Sequence, residues 1–212
     1  MNRFVLVVLL CCGLPGLSYG QTQDAWKSSF REGKVGGWVG YGGDSVCRIA
    51  REPTAKKNAL LTTFSDASPD PHAHRGIRID FKKPISRNAF RFIHFDYKLD
   101  RQVKTLGCFL QDEENNIWRV FFGPAITGKW ARSVVRESSF KFGWGEKPPG
   151  NRASKIVRLY LFVETPKVNT RSRFRLFFDN VTLSRKPPPA EPVESIDSGP
   201  ITPRKRYLLL DS

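Results

Sequence analysis

Histidine is scarce in this sequence, and its scarcity excludes several kinds of catalytic site. Only three histidines occur among 212 residues, and none of them lies three residues after an aspartate. Ser45, which follows Gly43 and Asp44, therefore lacks an Asp-x-x-His pair to act as its base. The sequence also contains no Walker loop, no Cys-x-x-Cys and no His-Glu-x-x-His motif. We therefore expect a protein that is not an enzyme.

Long apolar runs are also missing. The run Phe4–Cys12 is nine residues long, whereas a membrane span needs about 20. Arg3 precedes this run, helix-breaking Gly13 and Pro15 follow it, and small residues lie near position 20. This pattern predicts a signal peptide over residues 1–20, and hence a secreted, periplasmic or cell-surface protein without a transmembrane segment.

Four cysteines are present, and two of them lie inside the predicted signal peptide. Cys47 and Cys108 remain after cleavage. In an oxidising compartment these two could form one disulfide. Their spacing does not show whether they meet, so two buried free thiols are an equal alternative.

Acidic residues are in the minority. Lys plus Arg number 35 and Asp plus Glu number 20, which gives a net charge of +15 and favours anionic partners. The basic residues are spread along the chain rather than gathered in one dense arm, so we expect no nucleic-acid partner. A polysaccharide with sulfate or carboxylate groups fits better, because arginine makes forked contacts with both.

The composition changes at Lys186. Residues 186–206 begin Lys-Pro-Pro-Pro-Ala-Glu-Pro, and this proline-rich stretch predicts an extended linker. Residues 207–212 form a short apolar segment that either docks on the domain or begins another one. The sequence thus predicts one folded domain over residues 21–185.

Residues 21–185 show the alternation of a β-protein. Apolar positions repeat every second residue, and no run shows the repeat of an amphipathic helix. Turn-forming residues separate the runs, as at 112–116 and 148–151. The predicted strands include Ala89–Leu99, Leu106–Gln111, Ile117–Phe122, Ile156–Val163 and Phe174–Leu183. Many strands with short loops predict an all-β fold, an antiparallel jelly-roll β-sandwich.

Several motifs follow one another in an order that is typical of a known kind of domain. Gly76–Phe81 precedes Cys108–Asp112, Lys129-Trp130 stands before a Val-Val strand, and Phe177–Leu183 (FFDNVTL) closes the domain. This order resembles the galactose-binding-like β-sandwich of carbohydrate-binding modules in secreted bacterial proteins, over nearly all of residues 24–185. The resemblance implies polysaccharide binding. It also implies an appended or associated glycoside-hydrolase domain, which often accompanies such modules.

The same resemblance implies a structural calcium ion held by an acid in the closing strand. Asp179 is that acid here, and Glu32 in the opening segment could supply a second oxygen. Arg31 beside Glu32 weakens this prediction and favours a turn-capping role for Asp179.

Each of three predicted strands has one apolar face and one face that mixes aromatic with polar residues; the strands are 92–99, 106–111 and 157–163. The prediction places Val157 on the apolar face of the third strand. If the three strands are neighbours in one sheet, their mixed faces form one surface of rings and polar groups. Sugars suit such a surface, because rings stack on the C–H face of a pyranose and planar polar groups bind its hydroxyls. The candidate ligand-binding residues are His94, Asp96, Phe109, Gln111, Trp118, Arg132, Arg158 and Tyr160.

The alternative for this surface is a second, smaller packing layer or an ordinary wet face. Three more aromatic residues, Trp38, Tyr41 and Trp144, lie in glycine-rich stretches. They could grip a ligand at the edge of the sandwich, or each could plug an end of the core.

The sequence therefore favours an exported, non-catalytic module that binds polysaccharide, with an anionic one as the expected ligand. A structural or adhesion module of the cell envelope is the first alternative. A polysaccharide lyase or glycosidase on the same sandwich is the second, but carboxylate pairs are too common in the chain to identify one.

Overall fold

The structure is a computed structural model that describes residues 24–65, 74–123, 125–146, 155–164 and 173–189. The predicted signal peptide, most of the linker and the C-terminal segment lie outside these ranges. No helix in the described ranges is long and apolar enough to cross a bilayer. The strands are β1 Trp26–Ser28, β2 Trp38–Tyr41, β3 Val46–Glu52, β4 Lys57–Ser65, β5 His74–Ser86, β6 Phe92–Leu99, β7 Thr105–Asp112, β8 Ile117–Phe122, β9 Trp130–Arg136, β10 Lys141–Trp144, β11 Lys155–Glu164 and β12 Arg173–Ser184, and two short 3₁₀ helices span Arg87–Ala89 and Glu137–Ser139.

The strands form two antiparallel sheets that pack face to face. Sheet A has the order β3–β4–β12–β6–β9, and β1 also pairs with β12. Sheet B has the order β10–β8–β7–β11–β5–β2. This two-layer sandwich confirms the predicted fold class.

The core lies between the sheets and follows from the alternation of the strands. Burying each of its large apolar side chains stabilises the fold by about 1.5–3 kcal/mol. One position differs from the prediction. A β-bulge between Ile156 and Arg158 turns Ile156 into the core and leaves Val157 only half-buried. The predicted core residues that are buried are Ile93, Phe95, Tyr97, Leu99, Leu106, Cys108, Leu110, Leu159, Leu161 and Val163.

Both cysteines of the described chain are free thiols. Cys108 lies in the core on β7. Cys47 lies on β3, at the edge of the other sheet, where its thiol donates to the carbonyl of Trp38 at 3.3 Å. Burial raises the pKa of both thiols. Of the two alternatives that the sequence left open, the structure therefore has the unpaired thiols.

A buried carboxylate ties three strands of sheet A together. Glu52 at the end of β3 is 1% exposed. It accepts hydrogen bonds from Lys98 Nζ on β6 at 2.7 Å and from Trp130 Nε1 on β9 at 3.2 Å. The backbone N–H of Ala55 also donates to it at 2.6 Å. Burial alone would raise the pKa of Glu52, but these hydrogen bonds outweigh burial and lower the pKa to about 2.

This lowered pKa makes part of the folding stability depend on pH in the acid range. Because the folded-state pKa lies below the ordinary glutamate value of 4.5, the contribution of Glu52 to stability is present above that pH and is lost as the pH falls towards 2. Denaturant titrations at a series of pH values should show this loss. Glu52→Gln cannot ionise, so its stability should depend less on pH over this window. An identical pH dependence in the variant would contradict this role of Glu52.

Candidate functional site

The outer face of sheet B carries four aromatic rings in a row that crosses the strands. Tyr41 on β2 lies 4.7 Å from Tyr160 on β11, measured between ring centroids. Tyr160 lies 6.2 Å from Phe109 on β7, and Phe109 lies 5.2 Å from Trp144 on β10. All three contacts are edge-to-face, and we name these four residues the aromatic row. Its inner members are buried, whereas Tyr41 is half-buried and Trp144 is 46% exposed.

Phe162 on β11 packs against the aromatic row on the same face of sheet B. Its ring is fully buried and lies 4.1 Å from the Phe109 ring and 4.4 Å from the His74 ring. The residues that flank Phe162 on the neighbouring strands are both glycines, Gly76 and Gly107. A Cβ atom on Gly107 would clash with the Phe162 ring. The ring can therefore occupy this position only because residue 107 is a glycine.

A group of polar side chains lies beside the aromatic row. Asp80, Arg158 and Gln111 are cross-strand neighbours on β5, β11 and β7. The Arg158 guanidinium donates to Asp80, to Gln111 Oε1 at 3.0 Å and to the Tyr160 hydroxyl at 3.1 Å. The Tyr160 hydroxyl in turn donates to Gln111 Oε1 at 2.7 Å. The hydrogen bond with Asp80 raises the pKa of Arg158. The polar group is thus joined to the aromatic row through Tyr160.

The turn between β7 and β8 fixes the amide of Gln111. Asp112 Oδ1 accepts a hydrogen bond from the backbone N–H of Asn116 at 2.8 Å. Asn115 adopts a left-handed φ of 65°, and its Oδ1 accepts a hydrogen bond from Gln111 Nε2 at 2.9 Å. The turn predicted from this Asp- and Asn-rich stretch is therefore present, and it orients one of the candidate ligand-binding side chains.

Two arginines of this face, Arg78 and Arg119, were not among the predicted site residues. Arg78 on β5 is the cross-strand neighbour of Tyr160, and Arg119 on β8 is the neighbour of Phe109. Burial and Tyr160 raise the pKa of Tyr41, and Arg78 lowers it, so the charge of Arg78 acts on the aromatic row. The alternation of both strands could have predicted these arginines, because it places them on the same face as Tyr160 and Phe109.

The eight predicted ligand-binding residues do not share one face. The prediction assumed that strand 92–99 neighbours strands 106–111 and 157–163, and this assumption was wrong. β7 and β11 pair with each other, but β6 pairs with β12 and β9 in the opposite sheet. Those that lie together on the outer face of sheet B are Phe109, Gln111, Arg158 and Tyr160, and those on sheet A are His94, Asp96 and Arg132.

Trp118 belongs to the core and not to a ligand-binding face, which corrects the prediction for this residue. It is 5% exposed, and its Nε1 donates to Asp112 Oδ2 at 3.3 Å. The Arg87 guanidinium lies 4.2 Å from the centre of its ring. Since neighbours along a strand face opposite ways, Arg119 is the outward residue here. Trp38 is also a core residue, at 2% exposure.

Two of the three candidates on sheet A, Asp96 and Arg132, form a closed polar group with Asn180. Asp96 accepts two hydrogen bonds from the Arg132 guanidinium, at 2.6 and 3.2 Å, and one from Asn180 Nδ2 at 2.6 Å. Burial, with a smaller effect of Arg132, lowers the pKa of His94 and favours its neutral form. The carboxylate oxygens of Asp96 are therefore occupied by protein groups.

The sequence predicted that Asp179 and Glu32 hold a calcium ion. In the structure, the cation next to Asp179 is a lysine ammonium group. Asp179 is fully buried, and its Oδ2 accepts a hydrogen bond from Lys57 Nζ at 2.9 Å. The Glu32 side chain is 84% exposed. Within the described residues, no three acidic, histidine or cysteine side chains come together as a metal site would need. Because an ammonium group already balances Asp179, these residues do not fit a calcium ion.

The Lys57–Asp179 pair predicts a fold whose stability does not depend on metal. Neither EDTA nor added calcium should change the melting temperature of the wild type. Lys57→Met leaves the buried Asp179 charge without its counter-ion, although the backbone N–H of Asn180 still donates to it at 2.9 Å. This loss should cost about 3 kcal/mol of unfolding free energy. Lys27→Met, at an exposed lysine on β1, is the matched control and should have little effect. A melting temperature that EDTA lowers by several degrees would show a bound metal instead.

The chain is similar to several solved structures, although no family profile and no curated protein sequence matches it. The family 11 carbohydrate-binding module from Clostridium thermocellum, in complex with a β-1,3-1,4-mixed-linked tetrasaccharide, has a TM-score of 0.55 at 14% identity, over 75% of this chain and 95% of that chain. The N-terminal CBM22 tandem domain of Paenibacillus barcinonensis Xyn10C has a TM-score of 0.51 at 14% identity, over 78% of this chain and 50% of that chain. An exo-β-agarase has a TM-score of 0.52 at 14% identity, over 76% of this chain and 25% of that chain. The described part of this chain therefore has the galactose-binding-like jelly-roll fold of carbohydrate-binding modules.

Proposed function

We propose that this protein is a non-catalytic carbohydrate-binding module whose sugar chain lies along the aromatic row. The observation that carries the proposal is the row itself, together with the polar group beside it. A pyranose offers its C–H face to a ring and its hydroxyls to planar polar groups. Both kinds of partner lie next to one another on the outer face of sheet B. The row begins on the edge strand β2 and ends on the edge strand β10, so it can contact more than one sugar.

The members of the row differ in what they can offer a ligand. Trp144 is the most exposed ring, and Tyr41 is half-buried at the opposite end; these two rings are the stacking platforms. Tyr160 is only 7% exposed, and it contributes its hydroxyl rather than its ring face. Arg158 and Gln111, both half-buried, hold the Tyr160 hydroxyl in place between the two platforms.

The carboxylates of this face support a binding role without catalysis. Asp80 is paired with Arg158. Glu164 is paired with His74 at 3.2 Å and with Lys104 at 3.4 Å. Glycoside cleavage by two acids needs one carboxyl that can give up a proton and a second that can attack or activate water. Asp80 and Glu164 are both engaged by other side chains of the protein, which supports a structural role for these two carboxylates.

An anionic polysaccharide is the ligand class that the charge favours. The net charge of +15 and the arginines of this face attract sulfate and carboxylate groups. The pattern over residues 1–20 supports export to the place where such polysaccharides occur. The proline-rich segment that follows β12 supports association with, or attachment to, a glycoside-hydrolase domain.

Calorimetric titration against mixed-linked β-glucan, polygalacturonate and carrageenan tests the proposal. The wild type should bind at least one of them. Trp144→Ala should bind about tenfold more weakly, because a stacked ring contributes roughly 0.5–1.5 kcal/mol beyond the area it buries. Phe92→Ala, at a half-buried ring on β6 of sheet A, is the control and should keep the wild-type affinity.

Other outcomes separate the alternatives. Equal affinities of Trp144→Ala and wild type would contradict the proposed face. Recovery of the protein in a cell-envelope fraction without binding to any of the three polysaccharides would favour an adhesion module. Release of unsaturated products from polygalacturonate would show a lyase.

A further inference from the structure

We propose that Arg78 and Arg119 recognise acidic groups of the bound sugar chain, and that these two residues set the preference of the aromatic row for a carboxylated or sulfated polysaccharide. This inference rests on the proposed function and adds the residues that distinguish an acidic sugar chain from a neutral one.

The two arginines flank the inner rings of the row in a single line across sheet B. Arg78, Tyr160, Phe109 and Arg119 are successive cross-strand neighbours on β5, β11, β7 and β8. Adjacent strands lie about 4.8 Å apart, so the backbones at Arg78 and Arg119 are about 14 Å apart. A sugar chain that follows the aromatic row therefore passes both guanidinium groups, one on each side of Tyr160 and Phe109.

Neither arginine is neutralised by the described part of the protein. Arg78 is half-buried, and its Nε is buried without a hydrogen-bond partner among the described residues. Arg119 is exposed, and its guanidinium lies 5.8 Å from the centroid of the Phe121 ring. Arg158, on the same face, is instead paired with Asp80. Arg78 and Arg119 are thus the guanidinium groups of this face whose charge remains available to a ligand.

The energetics of Arg78 favour an anionic partner over water alone. A partly buried guanidinium loses hydration, and an unpaired N–H adds to that cost. A carboxylate or sulfate would supply the missing acceptor, and its two oxygens match the fork of a guanidinium. A sugar hydroxyl can accept hydrogen bonds, but it brings no charge and no pair of oxygens that matches the fork. Occupancy by an acidic sugar therefore stabilises this side chain more than occupancy by a neutral one.

The surrounding charges act in the same direction. Lys141 on β10 is the cross-strand neighbour of Arg119 and is exposed, so it adds positive charge at that end of the line. The acids of the face, Asp80 and Glu164, are engaged by Arg158, His74 and Lys104. The field at both arginines is therefore positive, and it attracts acidic groups and repels cations.

Three oligosaccharides test the inference with the full chain: oligogalacturonate for a carboxylate, carrageenan oligosaccharide for a sulfate, and mixed-linked β-glucan tetrasaccharide as the neutral probe. Arg78→Gln and Arg119→Gln should each weaken binding of an acidic probe about tenfold and change binding of the neutral probe less than about twofold. Arg48→Gln removes the same charge from an exposed arginine on β3 and should change neither. Whichever acidic probe shows the larger loss identifies the acid group.

Salt dependence and folding provide the second readout. Raising the salt concentration should weaken binding of the acidic probe to the wild type more than to either variant, because fewer charges attract it in the variants. Melting temperatures should stay close to that of the wild type, since neither arginine holds another part of the described fold. Arg78→Lys keeps the charge but loses the fork, and it should recover only part of the affinity.

Several results would overturn the inference. If both glutamine variants bind the acidic probes as the wild type does while Trp144→Ala loses binding, Arg78 and Arg119 do not recognise the acid and the proposed function stands. If none of the three variants affects binding, both proposals fail. If a single-stranded oligonucleotide binds as tightly as oligogalacturonate and loses affinity in both arginine variants, the line recognises a phosphate backbone rather than an acidic sugar.

Discussion

The packing of Phe162 between Gly76 and Gly107 is the contact on which the outer face of sheet B depends. An antiparallel sheet needs only one apolar face in order to fold, and its other face can be left to water. Sheet B instead buries a second apolar layer, in which Phe109 and His74 lie against the Phe162 ring. The aromatic row therefore rests on packed rings carried by strands. Under the proposed function, its side chains are in place before a ligand arrives, which lowers the entropy that binding must overcome.

The two outer faces of the sandwich contain similar residue types and use them differently. On sheet A, Asp96 is satisfied by Arg132 and Asn180, and Glu52 is satisfied by Lys98 and Trp130. These groups hold strands together, and a ligand would have to break buried hydrogen bonds in order to use them. On sheet B, rings reach the surface and two guanidinium groups keep their charge for a partner. Arg158, Gln111 and Tyr160 on sheet B are bonded to one another as well, so the two faces differ in the exposed rings and in Arg78 and Arg119.

Much of the fold follows from local patterns, whereas the assembly of the site does not. Successive side chains in a strand face opposite ways. The alternation of residue types therefore predicted that Leu159 and Leu161 lie in the core and that Tyr160 lies on the outer face of the sheet. Which strands become neighbours is a property of the whole chain. β6 pairs with β12, which follows it far along the sequence, and this pairing placed the candidates of strand 92–99 on the opposite sheet. No local pattern distinguishes that outcome from the one predicted.

The errors at single residues have local causes. Trp118 was chosen for its chemistry, although the alternation of its strand makes Arg119 the outward residue. The bulge between Ile156 and Arg158 shifts the alternation by one position, and nothing in the residue types there shows it. For Asp179 the sequence left a metal and a turn-capping role open, and it did not show that Lys57, from a distant strand, would balance its charge. Such partners become visible only when the strands are assembled.

Mapping of backbone and indole NMR shifts during a titration with oligogalacturonate tests most directly which face binds the sugar chain. The largest shifts are expected on the outer face of sheet B, at Arg78, Tyr160 and the indole of Trp144. Shifts concentrated at His94 and Asp96, on β6, would contradict it and would place the ligand on sheet A.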